Sequence, residues 1–277
     1  MRKALIFFFV LTASTLCTLA QSDIRRTDFK NFTYEASCAG EEGSYEKVRV
    51  RNGSFSKTTQ QDGYTDRFYF DVMEVKYGDV TGDGKDEAVV LSVCNTGGTG
   101  QFTEGFVYTM KGSRPTLLAR VPGGDRADGG LRSITVDDGL LVVEYNDPER
   151  TAGACCPEGI VIQKMRIEKG KVVEVGQPVK RELYPKERIL FGKGQSGKTW
   201  TVTIPVDDRK RYVLGARAGQ TMTVSFAGAG DAGLRMLDDN DEVNEITRRI
   251  NVLLKHSGDH VFELSNYGPR SITLTVT

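Results

Sequence analysis

The sequence predicts an all-β chain built from two predominantly antiparallel domains. Its short runs alternate between apolar and polar residues with a period of two, and they are rich in β-branched and aromatic residues, as in residues 67–72 and 140–144. Such alternation is typical of strands with one buried face. Turn dipeptides such as Asn52-Gly53, Asp138-Gly139 and Lys169-Gly170 separate the runs and favour hairpins.

One segment departs from this pattern. Residues 242–254 carry apolar side chains at helical spacing, and they predict the one helix of the chain. The latter part, residues 250–254, fits a strand equally well. No period of 20–50 residues repeats, which argues against a propeller or a solenoid.

The first 20 residues have the pattern of a secretory signal peptide. Arg2 and Lys3 precede an apolar run, and the small residues Thr18 and Ala20 stand before a cleavage point. The run is too short to span a bilayer comfortably, and no later segment is apolar enough to do so. The sequence therefore predicts a periplasmic or secreted protein that is not transmembrane. Cys17 leaves lipidation open as an alternative.

The net charge excludes one class of partner. Cleavage removes Arg2 and Lys3, which leaves 35 basic against 37 acidic residues, a net charge of −2. A nucleic-acid partner requires a basic surplus. The sequence therefore predicts no nucleic-acid binding.

Four cysteines remain in the exported chain, and export places them in an oxidising compartment. Four cysteines allow three pairings. The simplest joins Cys38 to Cys94 and Cys155 to Cys156, and the other two join both Cys38 and Cys94 to the Cys155-Cys156 corner. We expect structural disulfides and no free thiol, because these cysteines form neither a C-x-x-C motif nor a zinc-binding spacing.

The domain boundary is predicted at residues 178–187. This segment is charged, contains Pro178 and Pro185, and lacks alternation. It separates a first domain over residues 28–177 from a second over residues 188–277.

Residues 192–199 (Gly-Lys-Gly-Gln-Ser-Gly-Lys-Thr) fit the phosphate-loop pattern G-x-x-x-x-G-K-[ST]. That loop binds phosphate because it opens a helix, whose N-terminal amides hold the anion. Here Trp200 begins an alternating run that ends in Pro205, as a strand does. We predict a glycine-rich turn with Lys193 and Lys198 solvated, and no bound nucleotide.

The run Gly-Asp-Val-Thr-Gly-Asp-Gly-Lys-Asp-Glu at residues 78–87 raises the question of calcium. Calcium takes oxygen ligands, and a tight loop offers them on alternate residues. The predicted ligands are two carboxylates, a hydroxyl, a backbone carbonyl and a final carboxylate, from Asp79, Thr81, Asp83, Lys85 and Glu87. Val90 stands where an EF-hand has its last glutamate, so the loop is not an EF-hand. The alternative is a polar turn before a buried strand, since Asp and Gly alone favour tight turns.

Two resemblances concern the first domain. The loop at residues 79–87, followed directly by a strand, resembles the calcium loops of FG-GAP repeats, which implies a structural calcium ion. The Asn-Thr-Gly-Gly run at residues 95–98, Gly123-Gly124-Asp125 and the Cys-Cys-Pro corner resemble exported lipoprotein domains of the LppP/LprE kind. That second resemblance implies export and no biochemical activity.

Three features of the second domain form a recognisable set: a first strand around Phe191, the motif Tyr212-x-Leu214-x-Ala216-x-x-Gly-Gln, and the Ser257-Gly258 hairpin. On these features the domain resembles the bacterial pre-peptidase C-terminal β-sandwich and the periplasmic inhibitors of g-type lysozyme. It implies a jelly-roll-like sandwich of about seven or eight short strands. His260 and Glu263 stand where those inhibitors have a tyrosine and a basic residue.

No catalytic constellation emerges from the sequence. It has no G-x-S-x-G motif, and residues 21–255 contain no histidine. His256, His260 and Asp259 would make an incomplete metal site, so we predict solvated turn residues there. We also predict that the acidic run 238–242 is a solvated loop.

The expected function is that of an exported, non-enzymatic binding or envelope module. An inhibitor is one form it would take, and its expected partner is a protein or a glycan. The alternative is an accessory protein of a secreted hydrolase or peptidase system.

Overall fold

The computed structural model describes residues 23–38, 45–61, 63–126, 128–150, 156–237 and 247–277. The predicted leader and the acidic run at residues 238–242 lie outside these ranges. Helical structure in the described residues consists of two 3-10 turns, Ile24–Arg26 and Phe29–Asn31, and neither has the length of a membrane span. The predominance of strands confirms the all-β fold class.

The chain divides into two compact units. The N-terminal unit holds the described residues up to Tyr145 together with Ile162–Val179. The C-terminal unit holds Asn146–Val161 and Lys180–Thr277. The passage from Val179 to Lys180 lies inside the segment 178–187, and residues 178–182 of that segment are strand. The domain limits 28–177 and 188–277 stay predictions.

Three antiparallel sheets account for the first part of the chain. They have the orders β1-β2, β3-β4-β5-β6-β7 and β11-β10-β9-β8. The strands are β1 (Thr33–Ala36), β2 (Glu46–Arg49), β3 (Ser54–Gln61), β4 (Tyr64–Gly78), β5 (Glu87–Asn95), β6 (Phe102–Lys111), β7 (Arg114–Val121), β8 (Leu131–Asp137), β9 (Leu140–Asn146), β10 (Gly159–Glu168) and β11 (Lys171–Glu182).

Strand β5 is buried on both of its faces. Ala88 and Val90 pack into an aromatic core with Tyr34 and Phe106. Val89 and Leu91 point the other way, into a second core that includes residues of β8 and β9. This double burial explains why the sequence of β5 is a continuous apolar run rather than an alternating one.

Two of the predicted hairpin turns are confirmed in detail. Asp138 and Gly139 join β8 to β9 with φ values of 49° and 72°. Lys169 and Gly170 join β10 to β11 with φ values of 50° and 77°. Positive φ at both central residues is the signature of a type I′ turn, whose twist matches that of the paired strands.

A disulfide joins Cys38 to Cys94, with the two Cα atoms 6.6 Å apart. This bond confirms the simplest predicted pairing for these two residues and excludes the two alternatives. Cys156 is also disulfide-bonded. Cys17 and Cys155 lie outside the described residues.

The C-terminal unit contains a sandwich of two four-stranded sheets, of orders β12-β14-β18-β16 and β13-β19-β15-β17. The eight strands agree with the predicted seven or eight. They are β12 (Lys186–Arg188), β13 (Trp200–Ile204), β14 (Arg209–Ala216), β15 (Thr221–Ala227), β16 (Ala232–Met236), β17 (Arg249–Leu253), β18 (Gly258–Asn266) and β19 (Ile272–Val276).

One hydrophobic core fills the space between the two sheets of the sandwich. Alternate residues of each strand enter it, such as Tyr212 and Leu214 from β14 and Met222 and Val224 from β15. Strand β17 confirms the strand alternative for residues 250–254, because Ile250 alternates into this core while its neighbours face outward. The helix predicted for the whole of residues 242–254 is therefore wrong where the structure describes them.

Candidate functional site

The loop that precedes β5 is organised by the carboxylate of Asp79. Its Oδ1 accepts hydrogen bonds from the backbone N–H of Thr81 and of Gly82, at 3.2 and 2.6 Å, and its Oδ2 accepts one from Gly84, at 2.8 Å. The bond from Gly84 is the main reason that the pKa of Asp79 lies below its usual range. Positive φ angles at Gly82 and Gly84 let the chain curl around this side chain.

Glu87, by contrast, is buried at the start of β5. Its Oε2 accepts a hydrogen bond from the backbone of Val80 at 3.1 Å, and its Oε1 accepts one from the hydroxyl of Thr109 at 3.0 Å. Burial raises the pKa of Glu87, and the negative charges of Asp83 and Asp79 add to the rise. The carboxylate thus ties the loop to strands β5 and β6.

The five predicted calcium ligands therefore have different local roles. Asp79 and Thr81 lie side by side, Asp83 accepts from the backbone N–H of Lys85 at 2.9 Å, and Glu87 turns into the interior. In the part of the chain that the structure describes, no three His, Cys, Asp or Glu side chains gather as metal ligands. The hydrogen bonds described above for the loop are those of a polar turn. Calcium binding stays a prediction.

Residues 192–199, which match the phosphate-loop pattern, form a turn, as predicted. Gln195 donates its backbone N–H to the carbonyl of Gly192 at 2.9 Å, and Gly194 has a φ of 77°. Strand β13 begins at Trp200, so no helix follows to supply an N-terminal anion site. Lys193 and Lys198 are exposed, which confirms that expectation.

The same turn forms one wall of an open groove in the C-terminal unit, with a volume of about 530 Å³. Apolar side chains line its inner part, and the ends of β14 and β15 complete the walls. The apolar lining residues include Ile189, Phe191, Trp200, Leu214, Met222, Leu254 and Phe262, and the polar ones include Gln195, Ser196, Lys198, Gln220, Thr221, Thr223 and Arg249. A volume of this size with an apolar floor and a few polar groups is typical of binding sites.

Two cationic side chains, Lys198 and Arg249, line the groove, and no Asp or Glu side chain is found among the described residues of its walls. Neither cation forms an ion pair with a residue that the structure describes. Phe191 and the adjacent Leu190 are exposed large apolar residues beside the opening. The groove therefore combines apolar surface with two cationic side chains.

The two histidines lie together, with ring centroids 4.4 Å apart. His260 is fully buried at the end of the core-facing row of β18, so the prediction of a solvated turn residue is wrong for it. Asp259 points to Arg188, whose Nη1 donates to Oδ1 at 2.9 Å. The bond to Arg188 accounts for the lowered pKa of Asp259. The structure thus groups the histidines and directs Asp259 to another partner.

A buried ion network, which the sequence analysis missed, lies on the outer face of the sheet that contains β18. Glu263 is fully buried, and it accepts from Arg211 Nε at 2.7 Å and from Arg235 Nη2 at 2.8 Å. Arg209 approaches the same carboxylate at 3.6 Å. Arg211 also donates hydrogen bonds from both terminal nitrogens to the two carboxylate oxygens of Glu158. This network ties Glu158 to the sandwich.

Only the pairing of strands reveals this network. Arg211 lies directly opposite Glu263 in the β14–β18 ladder, and Arg235 lies opposite it in the β16–β18 ladder. In the sequence, the available signal is that charged residues alternate with core residues on these strands. That signal marks an outward face, and it does not distinguish a solvated face from a covered one.

No protein-family model matches the chain, and no curated protein matches it. Two solved structures of periplasmic lysozyme inhibitors of g-type lysozyme resemble part of it. PliG of Aeromonas hydrophila is 21% identical, with 33% of this chain and 94% of that chain covered and a TM-score of 0.29. PliG of Salmonella Typhimurium is 17% identical, with 33% and 96% covered and a TM-score of 0.26. Likeness at this level carries no conclusion about the partner of this chain.

Proposed function

We propose that the chain is an exported, non-enzymatic binding module that engages a protein or a glycan through the groove of its C-terminal unit. The groove is the observation that carries the proposal. It combines a concave apolar floor, two cationic side chains and a wall made by a surface turn, and it has the size of a binding site. An inhibitor would work in this way, by occupying a partner's surface.

Export has separate support. The leader pattern at residues 1–20 predicts secretion. The Cys38–Cys94 disulfide fits a chain that folds in an oxidising compartment, such as a bacterial periplasm or the extracellular medium. Both observations agree with a partner that is met outside the cytoplasm.

The test uses the chain without its leader, immobilised and exposed to periplasmic or culture fluid and to a glycan array. Any captured partner is purified, and its Kd is measured against the wild type and against Ser196→Trp, which places an indole in the groove. Lys193→Trp is the matched control, because Lys193 belongs to the same turn and does not line the groove.

We expect Ser196→Trp to weaken binding by at least tenfold, about 1.4 kcal/mol, and Lys193→Trp to leave it unchanged. Equal affinity for all three proteins would show that the partner binds elsewhere and would overturn the proposal. Turnover of a captured partner or glycan by the purified protein would overturn its non-enzymatic part.

A further inference from the structure

A second concave site lies at one end of the five-stranded sheet in the N-terminal unit. It has a volume of about 480 Å³, and the lining residues that the structure describes all belong to this unit. The start of β6 and the end of β7, which pair with each other, form its floor. Its walls come from the segments after β1, before β2 and after β7. The site therefore has the size of a small-molecule binding site.

The wall that follows β1 is fixed by a disulfide and by hydrogen bonds. Cys38 is joined to Cys94, near the end of β5. The backbone N–H and the hydroxyl of the neighbouring Ser37 donate to Oε2 of Glu104 at 3.1 and 3.0 Å. Wall and floor are therefore connected before any ligand binds, and a preformed site loses less conformational entropy on binding.

An ion pair forms the floor of the site. Nη1 of Arg120 donates to Oε1 of Glu104 at 2.6 Å. The two side chains are 18% and 12% exposed, and both line the site. A guanidinium carries more donors than this one bond uses, and a carboxylate oxygen accepts more than one bond. The floor can therefore donate and accept hydrogen bonds at neighbouring points.

Two aromatic rings stand at the rim of the site. Tyr45 is 56% exposed and Phe102 is 39% exposed. The guanidinium of Arg120 lies 3.9 Å from the centroid of the Tyr45 ring, which places this ring beside the ion pair. Singly exposed apolar residues are common on protein surfaces, but two rings beside a polar floor give one site both apolar and polar surface. Gly123 and Gly124 add a wall without side chains, which lets a ligand approach the backbone closely.

The charges of the site disfavour an acidic ligand. Glu104 and Arg120 neutralise each other, and Glu35 lies 3.8 Å from Arg120 with about half of its side chain exposed. Two carboxylates against one guanidinium give a net charge of −1. A phosphate, a uronic acid or an acidic peptide would be repelled by this charge. A neutral ligand with many hydroxyl groups has no such penalty, and it can bond to both members of the ion pair.

We propose that this site binds a neutral saccharide. A pyranose ring has C–H groups on its faces, which pack on aromatic rings, and hydroxyl groups at its edge, which both donate and accept hydrogen bonds. A sugar that packs against Tyr45 and Phe102 brings its hydroxyls to Arg120 and Glu104 on the floor. The site is open to solvent, so further units of a chain can extend from it. The inference is independent of the proposed function, because it concerns other residues in the other unit.

The experiment titrates the chain without its leader with three neutral tetrasaccharides, cellotetraose, maltotetraose and N-acetylchitotetraose, by isothermal titration calorimetry. We expect at least one of them to bind. The same tetrasaccharide oxidised to carboxylates at C6 should bind about two- to fivefold more weakly, because its charges meet those of Glu35 and Glu104.

Protein variants assign the binding to the site. Tyr45→Ala and Phe102→Ala each remove an exposed ring, and each should weaken binding at least about tenfold. Tyr45→Phe keeps the ring, and it should bind within about twofold of the wild type. Tyr267→Ala is the matched control, because Tyr267 is 49% exposed in the C-terminal unit, and it should have no effect. These side chains are exposed, so we expect the variants to keep the Tm of the wild type.

The results separate this inference from the proposed function. Saccharide binding that survives Tyr45→Ala and Phe102→Ala but is weakened by Ser196→Trp would assign the sugar to the groove and overturn this site. The absence of any heat of binding with the three saccharides would overturn the inference and leave the groove unaffected. Stronger binding of the oxidised saccharide would overturn the neutral class of ligand. A basic peptide that binds in a Tyr45-sensitive way, with no saccharide bound, would identify a cation as the ligand instead.

Discussion

Glu263 is the residue whose replacement tests the packing of the C-terminal unit most sharply. Its carboxylate has no exposed surface and lies among Arg211, Arg235 and Arg209. Ser265 also donates its hydroxyl to Glu263, at 3.2 Å. Glu263→Gln keeps the shape of the side chain and removes its charge, so it leaves the buried guanidinium of Arg211 and the partly exposed ones of Arg209 and Arg235 without their central counter-ion.

The size of the effect follows from the exposure of the three arginines. Removing one partner of a buried ion pair costs about 3–5 kcal/mol. Arg211 keeps its two bonds to Glu158, and the side chain of Arg235 is 38% exposed and reaches water, so the lower end of the range applies. For a unit of about 110 residues, a loss of about 3 kcal/mol lowers the Tm by about 12 °C.

The assay is differential scanning calorimetry of the full chain without its leader, with assignment of the transition that belongs to the C-terminal unit. Glu187→Gln is the matched control, because Glu187 is exposed on β12 of the same sheet. We expect the control to shift the Tm by less than about 2 °C, as surface substitutions do. An equally small shift for Glu263→Gln would refute the claim that this carboxylate holds the network together.

Three further predictions concern acid, calcium and the thiols. The pKa of Glu158 is lowered mainly by its hydrogen bonds with Arg211. The stability that this carboxylate contributes is therefore present above its ordinary pKa of 4.5 and is lost as the pH falls through its folded pKa. Urea titrations from pH 6 to pH 3 should show that Glu158→Gln loses less free energy of unfolding than the wild type does. An identical loss of free energy in both proteins would contradict this. A calcium concentration ten times its Kd should stabilise the folded chain by about 1.4 kcal/mol in wild type and not in Asp83→Ala. If calorimetry detects no heat of calcium binding, the loop is only a polar turn. If calcium still stabilises Asp83→Ala, the ion binds elsewhere. Denatured, non-reduced chain without its leader should contain no titratable thiol; two reacting thiols would contradict the disulfide assignment.

The sequence predicts most of the strands because their signal is local. Alternation shows which side of a strand is buried, and dipeptides such as Asp138-Gly139 define turns by their own conformational freedom. Both properties belong to a few consecutive residues. The all-β class follows from them without knowledge of which strands pair, whereas the sandwich is what the resemblance of the second domain implies.

The sites depend on pairing, which is not local. Glu87 fits a calcium-loop pattern, yet its side chain turns inward, where the hydroxyl of Thr109 on β6 donates a hydrogen bond to it. His260 fits a solvated turn, yet the twist and pairing of β18 place it with the core residue Phe262. The groove likewise depends on how β19 pairs with β15, and strand pairing cannot be read from consecutive residues.

Hydrogen exchange at two amides tests whether the partner occupies the groove. The full chain without its leader is compared alone and with its captured partner bound, and exchange is read at Thr221 and Thr223 of β15, which line the groove. If the partner occupies the groove, both amides become protected on binding, while the amide of Met222, which lies in the β15–β17 ladder, changes little. Unchanged exchange at Thr221 and Thr223 under saturating partner would contradict binding in the groove.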